Sequence, residues 1–231
     1  MESLEQVIPE VPQGPGAPPT LRAHVVQMLS AGILSGKYKP GDRLNESQIA
    51  RELNISRIPV REALSQLQEQ GLVQNRERRG MFVTNINTEE AVQISSLRLI
   101  LEMEALRLAR LHMTPEILVE LEALVERMEN WDGDLLDARA LDLQFHRALW
   151  RASGNPYLER TLYGLVVPLF AHKTLEHVTH DVRRWRMSHH RTLLDAVLGR
   201  SSDDLQAVLL THLRMSHTEP ERYSALVRKL S

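Results

Sequence analysis

Apolar residues recur at helical spacing along most of this chain, and the breaks in that rhythm separate a short N-terminal part from a long C-terminal one. Leu21, Val25, Met28, Leu29 and Ile33 share one helical face, and Gly36 with the Pro40-Gly41 pair stops that helix. A second helix is expected from Asn45 to about Asn54, with Asn45 as N-cap and Gln48 three positions on, as in a capping box. Ser56 is expected to cap a third helix that runs to Gln70 and ends at Gly71. Pro59 falls in its first turn, where the missing N–H is not needed. Val60, Ala63, Leu64 and Leu67 follow the i, i+3, i+4, i+7 rule and should pack on the first two helices. Leu72-Val73 and Met81-Phe82-Val83 flank Asn75-Arg76-Glu77-Arg78-Arg79-Gly80, which reads as a β-hairpin with a basic tip, a wing.

Beyond this the chain reads as helical almost throughout. Helices are expected at about 88–112, 115–130, 134–153, 156–177, 180–199 and 203–217, with a short one near 220–230. Thr114-Pro115, Asp132-Gly133, Gly154-Asn155-Pro156 and Gly199-Arg200-Ser201 supply the breaks, and Pro168 should kink the fourth of these helices. Residues 1–19 hold Pro9, Pro12, Pro15, Pro18 and Pro19 with Gly14 and Gly16, and read as a disordered leader. The fold class is therefore mainly α: a winged helix-turn-helix over 20–86, then an all-α bundle over 87–231.

Composition narrows the chemistry. There is no cysteine, so disulfides and thiolate metal sites are excluded and a metal would have to use His, Asp or Glu. No apolar run approaches the ~18–20 residues of a membrane span, and the N-terminus lacks the pattern of a secretory signal, so a cytoplasmic protein is expected. The net charge of −2 hides an asymmetry: residues 20–86 carry ten Lys or Arg against six Asp or Glu. A basic N-terminal domain suits a polyanion.

The third helix shows how such a partner would be read. Arg57 and Arg61 are four apart and project side by side away from the apolar face. Arg57 lies in the first turn, where a recognition helix enters the major groove and an arginine can donate two hydrogen bonds to guanine. Arg61 could do the same or bind phosphate, and the amides at Ser56 and Arg57 point toward an anion. Arg43 is a phosphate-contact candidate. Gly80 lets the wing turn sharply while Arg78 and Arg79 reach for the DNA backbone or minor groove. A solvated face would account for an arginine pair alone, but here the helix grammar, the wing and the charge asymmetry coincide on double-stranded DNA.

Residues 21–85 resemble the winged helix-turn-helix of the GntR family of bacterial transcription regulators. The resemblance rests on Ile33-Leu34-Ser35-Gly36, Pro40-Gly41-Asp42-Arg43-Leu44, Glu46, Ile49-Ala50, Ser56-Arg57, Pro59-Val60-Arg61-Glu62-Ala63-Leu64, Leu67, Gly71-Leu72-Val73 and Arg79-Gly80. It implies that Arg57 and Arg61 contact bases or phosphates of a two-fold operator, and that the protein is a homodimer.

Eight of the ten histidines lie between His146 and His217. His146 stands in Asp142, Phe145, His146, Leu149; His190 begins His190, Leu193, Leu194, Val197; His212 ends Leu205, Val208, Leu209, His212. Each set has helical spacing, so each histidine falls in a core-facing stripe. Asp142 and His146 share a face one turn apart, a two-point chelate. A divalent cation would satisfy all four polar groups at once. A core imidazole hydrogen-bonded to a neighbour is the better account of any one histidine taken singly; for the set on three helices, spacing alone does not decide between that and a metal. His172, His177, His180, His189 and His217 fit the pattern less well and read as surface residues.

The C-terminal part, roughly 88–217, resembles the helical ligand domain of the FadR-like branch of that family, the FCD domain. The resembling residues are Arg98 with Glu102, Asp142-Leu143-Gln144-Phe145-His146, Asn155-Pro156, His190-Arg191 and His212-Leu213. The resemblance implies a metal (zinc first, nickel or manganese otherwise) held by Asp142, His146, His190 and His212, in the six-helix, VanR-like form of the domain. It also places Arg98 at the effector pocket, where a guanidinium would grip a carboxylate. Arg98 falls within the spacing of Ile94, Leu97, Leu101 and Ala105; an i, i+4 pair with Glu102 on a helix edge is the competing account. The expected function is a non-enzymatic transcription regulator, commonly a repressor, that answers to a small organic acid. A regulator of the metal itself is the alternative, and a metal-dependent hydrolase fused to a DNA-binding module is the remote one.

Overall fold

The computed structural model describes residues 20–133, 135–172 and 179–215. The proposed leader, the C-terminal helix expected near 220–230, and His177 and His217 lie outside the described residues. The described chain forms two compact units: the first runs to Ile86 and takes in a stretch beginning at Val167, and the second begins at Asn87.

The first unit is built from α1 (Leu21–Leu34), β1 (Arg43–Leu44), α2 (Glu46–Glu52), α3 (Arg57–Glu69), β2 (Val73–Arg76) and β3 (Gly80–Val83). Val25, Leu29 and Ile33 of α1 meet Val60, Ala63, Leu64 and Leu67 of α3 in a core where each is at most 1% exposed. Burial of such side chains stabilises by roughly 1.5–3 kcal/mol each. Asn45 caps α2 through Oδ1, which accepts from the amides of Ser47 and Gln48. The reciprocal half of the expected capping box does not form, because the Gln48 side chain donates to Glu52 instead. Ser56 occupies the N-cap position of α3 with extended backbone, yet its side chain makes no cap hydrogen bond.

The sheet order is β1-β3-β2, antiparallel throughout. The hairpin is the expected wing; β1 is an addition, since Arg43 pairs with Phe82 and Leu44 with Met81. Two residues carry too little pattern to announce a strand, and β1 exists because β3 offers it an edge. At the wing tip Arg78 (φ 59°) and Gly80 (φ 92°) are left-handed, the turn that glycine was expected to allow.

The second unit holds α4 (Thr88–His112), α5 (Pro115–Glu129), α6 (Leu135–Ala152), the start of α7 (Pro156–His172), α8 (His180–Ser188), α9 (His190–Leu198) and α10 (Leu205–Met215). Its core joins Leu106, Leu121, Val125, Met128, Leu141, Phe145, Leu149, Leu193, Val197 and Leu209. Asn87 starts α4 with a full capping box: its side chain accepts from Glu90 N, and the Glu90 carboxylate accepts from Asn87 N. One helix was expected over 180–199, but it is broken at His189. That residue keeps helical angles (φ −75°, ψ −8°), and its amide bonds to Arg186 O in a tighter turn. No glycine or proline marks the break, so the sequence does not announce it. α7 runs on through Pro168.

Candidate functional site

Side chains from three helices converge inside the bundle. Asp142 and His146 project from α6, His190 begins α9, and His212 lies in the last turn of α10. Their nearest ligating atoms all lie within 4.8 Å of one another, the sole such His/Asp/Glu cluster among the described residues. The three imidazoles are at most 5% exposed, while the Asp142 side chain keeps 24% exposure. His190 Nε2 is 3.0 Å from Asp142 Oδ1, His146 Nε2 is 3.3 Å from the same oxygen, and His212 Nε2 is 3.0 Å from His146 Nε2.

The protonation pattern tests whether these residues suit a cation. His190 Nδ1 is 2.9 Å from the carbonyl of Met187, which can only accept, so this nitrogen carries the proton. His190 Nε2 is then the nitrogen turned toward Asp142 and the one left for a metal. Burial, together with the charges of His190 and His146, pushes His212 well below the ordinary histidine range. Burial likewise lowers His146, against the opposing charge of Glu102. Burial raises the Asp142 carboxyl, but hydrogen bonds from His146 and His190 outweigh it and hold the group well below the usual carboxylate range. Imidazoles held below their ordinary range at His146 and His212, and an ionised Asp142, are the forms that ligate metals. The donor set fits.

Arg98 and Glu102 lie beside this cluster on α4. Arg98 Nε donates to Glu102 Oε1 at 2.7 Å, and the two side chains are 3% and 1% exposed. The pair is therefore buried and not on a helix edge. The buried face of α4 is also rotated from the expected one: Ser95, Arg98, Leu99, Glu102, Ala105 and Leu106 point inward, whereas Leu97 is 51% exposed. Arg98 Nη2 is buried without a hydrogen-bond partner among the described residues. His180 pairs at 3.3 Å with Asp132, and the His189 ring bonds to Trp185 O; both lie apart from the cluster.

In the first unit, Ser47, Ala50, Arg51, Asn54, Ile55, Ser56 and Arg57 line a shallow concavity where α2 turns into α3. Arg57 is exposed at the first position of α3. Arg61 is exposed too, but Glu46 holds it through two hydrogen bonds of 2.8 and 3.2 Å. That contact raises the Arg61 guanidinium further, chiefly through the hydrogen bond. Arg43 reaches the wing tip: a Cβ on Gly80 would stand 3.9 Å from its guanidinium. Arg78 and Arg79 are exposed beside it. Arg51 and Ser47 were not singled out from the sequence; their helical offset toward Arg57 was the available signal.

Comparison with known proteins brings the two units together. Residues 21–83 match the model of bacterial regulatory proteins of the gntR family, and residues 93–215 match the FCD domain. The chain is 29% identical over 184 residues to the Nta operon transcriptional regulator of Aminobacter aminovorans, covering 78% of this chain and 85% of that one. It is 27% identical over 194 residues to the HTH-type transcriptional repressor RspR of Escherichia coli, covering 82% and 84%. Among solved structures, E. coli McbR/YncC superposes with a TM-score of 0.71 at 24% identity, over 92% of this chain and 99% of that one, a likeness of fold.

Proposed function

The chain belongs to the GntR family of bacterial regulatory proteins and carries an FCD domain, and from this we propose that it is a dimeric repressor whose operator affinity is set by a small carboxylate bound beside a zinc ion. The family and the relatives are transcription regulators and not enzymes, which sets the hydrolase alternative aside. Members of the family bind operator DNA and usually act as dimers. Among the described residues no helix is long and apolar enough to cross a membrane. Residues 20–86 are the DNA-reading domain and 87–231 the metal, effector and dimerisation domain in this reading. We assign the latter to the six-helix, VanR-like form, taking α8 and α9 as one helix interrupted at His189.

The observation that carries the proposal is the buried donor set of Asp142, His146, His190 and His212 beside an arginine whose Nη2 has no hydrogen-bond partner among the described residues. Three imidazoles and one carboxylate, without thiolate, suit zinc and admit nickel or manganese. When bound, the metal supplies a Lewis-acidic position for an oxygen ligand. Arg98 would hold the acid's second oxygen through Nη2 and orient it. On the DNA side, Arg57 is free to read a base, while Arg61, tethered to Glu46, braces α3 against α2 and contacts phosphate. Arg43, Arg78, Arg79 and Gly80 follow the backbone beside the wing. Repression is supported by the likeness to the repressor RspR of Escherichia coli.

A screen of small carboxylic acids against the operator complex of the zinc-loaded protein tests this. A responsive acid should lose most of its effect on Arg98→Ala, while effector-free operator affinity stays nearly unchanged, since Arg98 is not in the DNA-reading unit. An acid equally effective on the variant rejects the pocket assignment. A response to metal alone favours a metal sensor.

A further inference from the structure

We infer that Glu102 is a positioning residue for the metal centre, its single carboxylate shared between Arg98 and the outward nitrogen of His146, so that occupancy at Arg98 and occupancy at the metal are coupled through it. The inference rests on the metal reading above and goes beyond it by naming the connection. Glu102 Oε1 accepts from Arg98 Nε at 2.7 Å, and Oε2 faces His146 Nδ1 at 3.8 Å. All three side chains are at most 3% exposed, so water does not screen the arrangement.

His146 supplies the independent observation. Its Nε2 is turned to Asp142 and His212, and its Nδ1 is buried with no hydrogen-bond partner among the described residues. A ring that ligates through Nε2 must carry its proton on Nδ1, and that proton points toward a buried carboxylate. A carboxylate behind a ligating imidazole fixes the tautomer and raises the basicity of the ligand. A shift of about 1 Å would bring the pair into hydrogen-bond range.

Arg98 now competes with His146 for the same charge. An anion taken up by Arg98 draws the guanidinium partly away from Glu102, and the released carboxylate turns to His146. Anion and metal then reinforce each other, and each must raise the other's affinity by the same factor.

The experiment measures zinc affinity by competition with a chromophoric chelator, with no organic acid present. It compares wild type, Glu102→Gln, Arg98→Gln and the double variant Arg98→Met with Glu102→Met. Both single variants break the same buried ion pair, so a merely structural role would cost them the same zinc affinity. We expect Glu102→Gln to bind zinc about 10–100-fold more weakly, and Arg98→Gln to bind as tightly as wild type or more so. The double variant removes both charges without stranding one, keeps the protein foldable, and should resemble Glu102→Gln. Zinc affinity unchanged in Glu102→Gln and in the double variant overturns the inference, and so does an equal loss in Arg98→Gln. A wild type that binds no zinc rejects the metal reading itself, which is a separate and recognisable failure.

Discussion

Arg191 follows His190 of the buried cluster, and its removal should loosen the start of α9 by a predictable amount. Its guanidinium forks onto Glu129 through Nε and Nη2 at 2.9 and 3.0 Å, while Nη1 donates to Glu122. Arg200 shares Glu122, so the network ties α9 and the segment after it to α5. The hydrogen bonds to Arg191 hold the Glu129 carboxyl below its usual range, and those to Arg200 and Arg191 do the same for Glu122. The Arg191 and Glu129 side chains are 30% and 37% exposed, so the pairs are partly screened. Exposed ion pairs contribute about 0.2–1 kcal/mol each. A bidentate fork lies at the upper end, and two pairs give about 1–2 kcal/mol. For a chain of this size that corresponds to roughly 3–6 °C in Tm. Arg191→Met separates charge from packing because it keeps the apolar stem. Denaturant melts of the metal-free protein at 0.05 M and 1 M NaCl measure the loss, which should shrink at high salt as the screening length falls to about 3 Å. A loss under about 0.3 kcal/mol at low salt, or one independent of salt, would refute the assignment of the network to charge.

Two further outcomes are expected. Arg57→Ala should weaken operator binding by about 1–3 kcal/mol and relax the preference at one base pair per half-site; titrations against base-substituted operators check this, and unchanged base preference removes Arg57 from the recognition surface. Because His146 and His212 are held below the ordinary histidine range, the metal-free protein should lose stability as pH falls below about 6.5. The unfolded chain then takes up protons that the folded one refuses, up to about 1.4 kcal/mol per pH unit for each histidine. Thermal melts from pH 8 to 5 give the slope, and a flat curve rejects it.

The parts that were legible in the sequence are those governed by local chemistry. Asn45, Pro59, Gly71 and Thr114-Pro115 mark helix ends through backbone needs that hold in any context. The stripe positions of His146, His190 and His212 were legible for the same reason, because each helix carries its own record of which face is inside. What stayed hidden depends on a second element. β1 exists only against β3, and the Arg61–Glu46 bridge spans two helices. The rotation of α4 could not be read because Leu97 and Ile100, both apolar, are outside, whereas Arg98 and Glu102, both charged, are inside. A periodicity rule scores that helix for the wrong face whenever function overrides burial.

That inversion on α4 is itself an argument about function. Moving an ion pair from water into a core costs several kcal/mol per charge, and the attraction between the charges often fails to offset it. Arg98 and Glu102 nevertheless sit at 2% and 1% exposure beside three buried imidazoles, in a core otherwise built from Phe145, Leu149, Leu193 and Val197. Leucine or methionine at both positions would pack the same space at no electrostatic penalty, and Leu97, one residue away, shows that apolar side chains are available to α4. The seam of charged groups and histidines running from α4 through α6 to α9 and α10 is therefore a poor device for stability. On the proposed reading, the gain is a polar interior able to hold an anion and a cation side by side. On that reading, the same seam is where the bundle can respond to a small molecule, because its members can exchange partners without opening the apolar core.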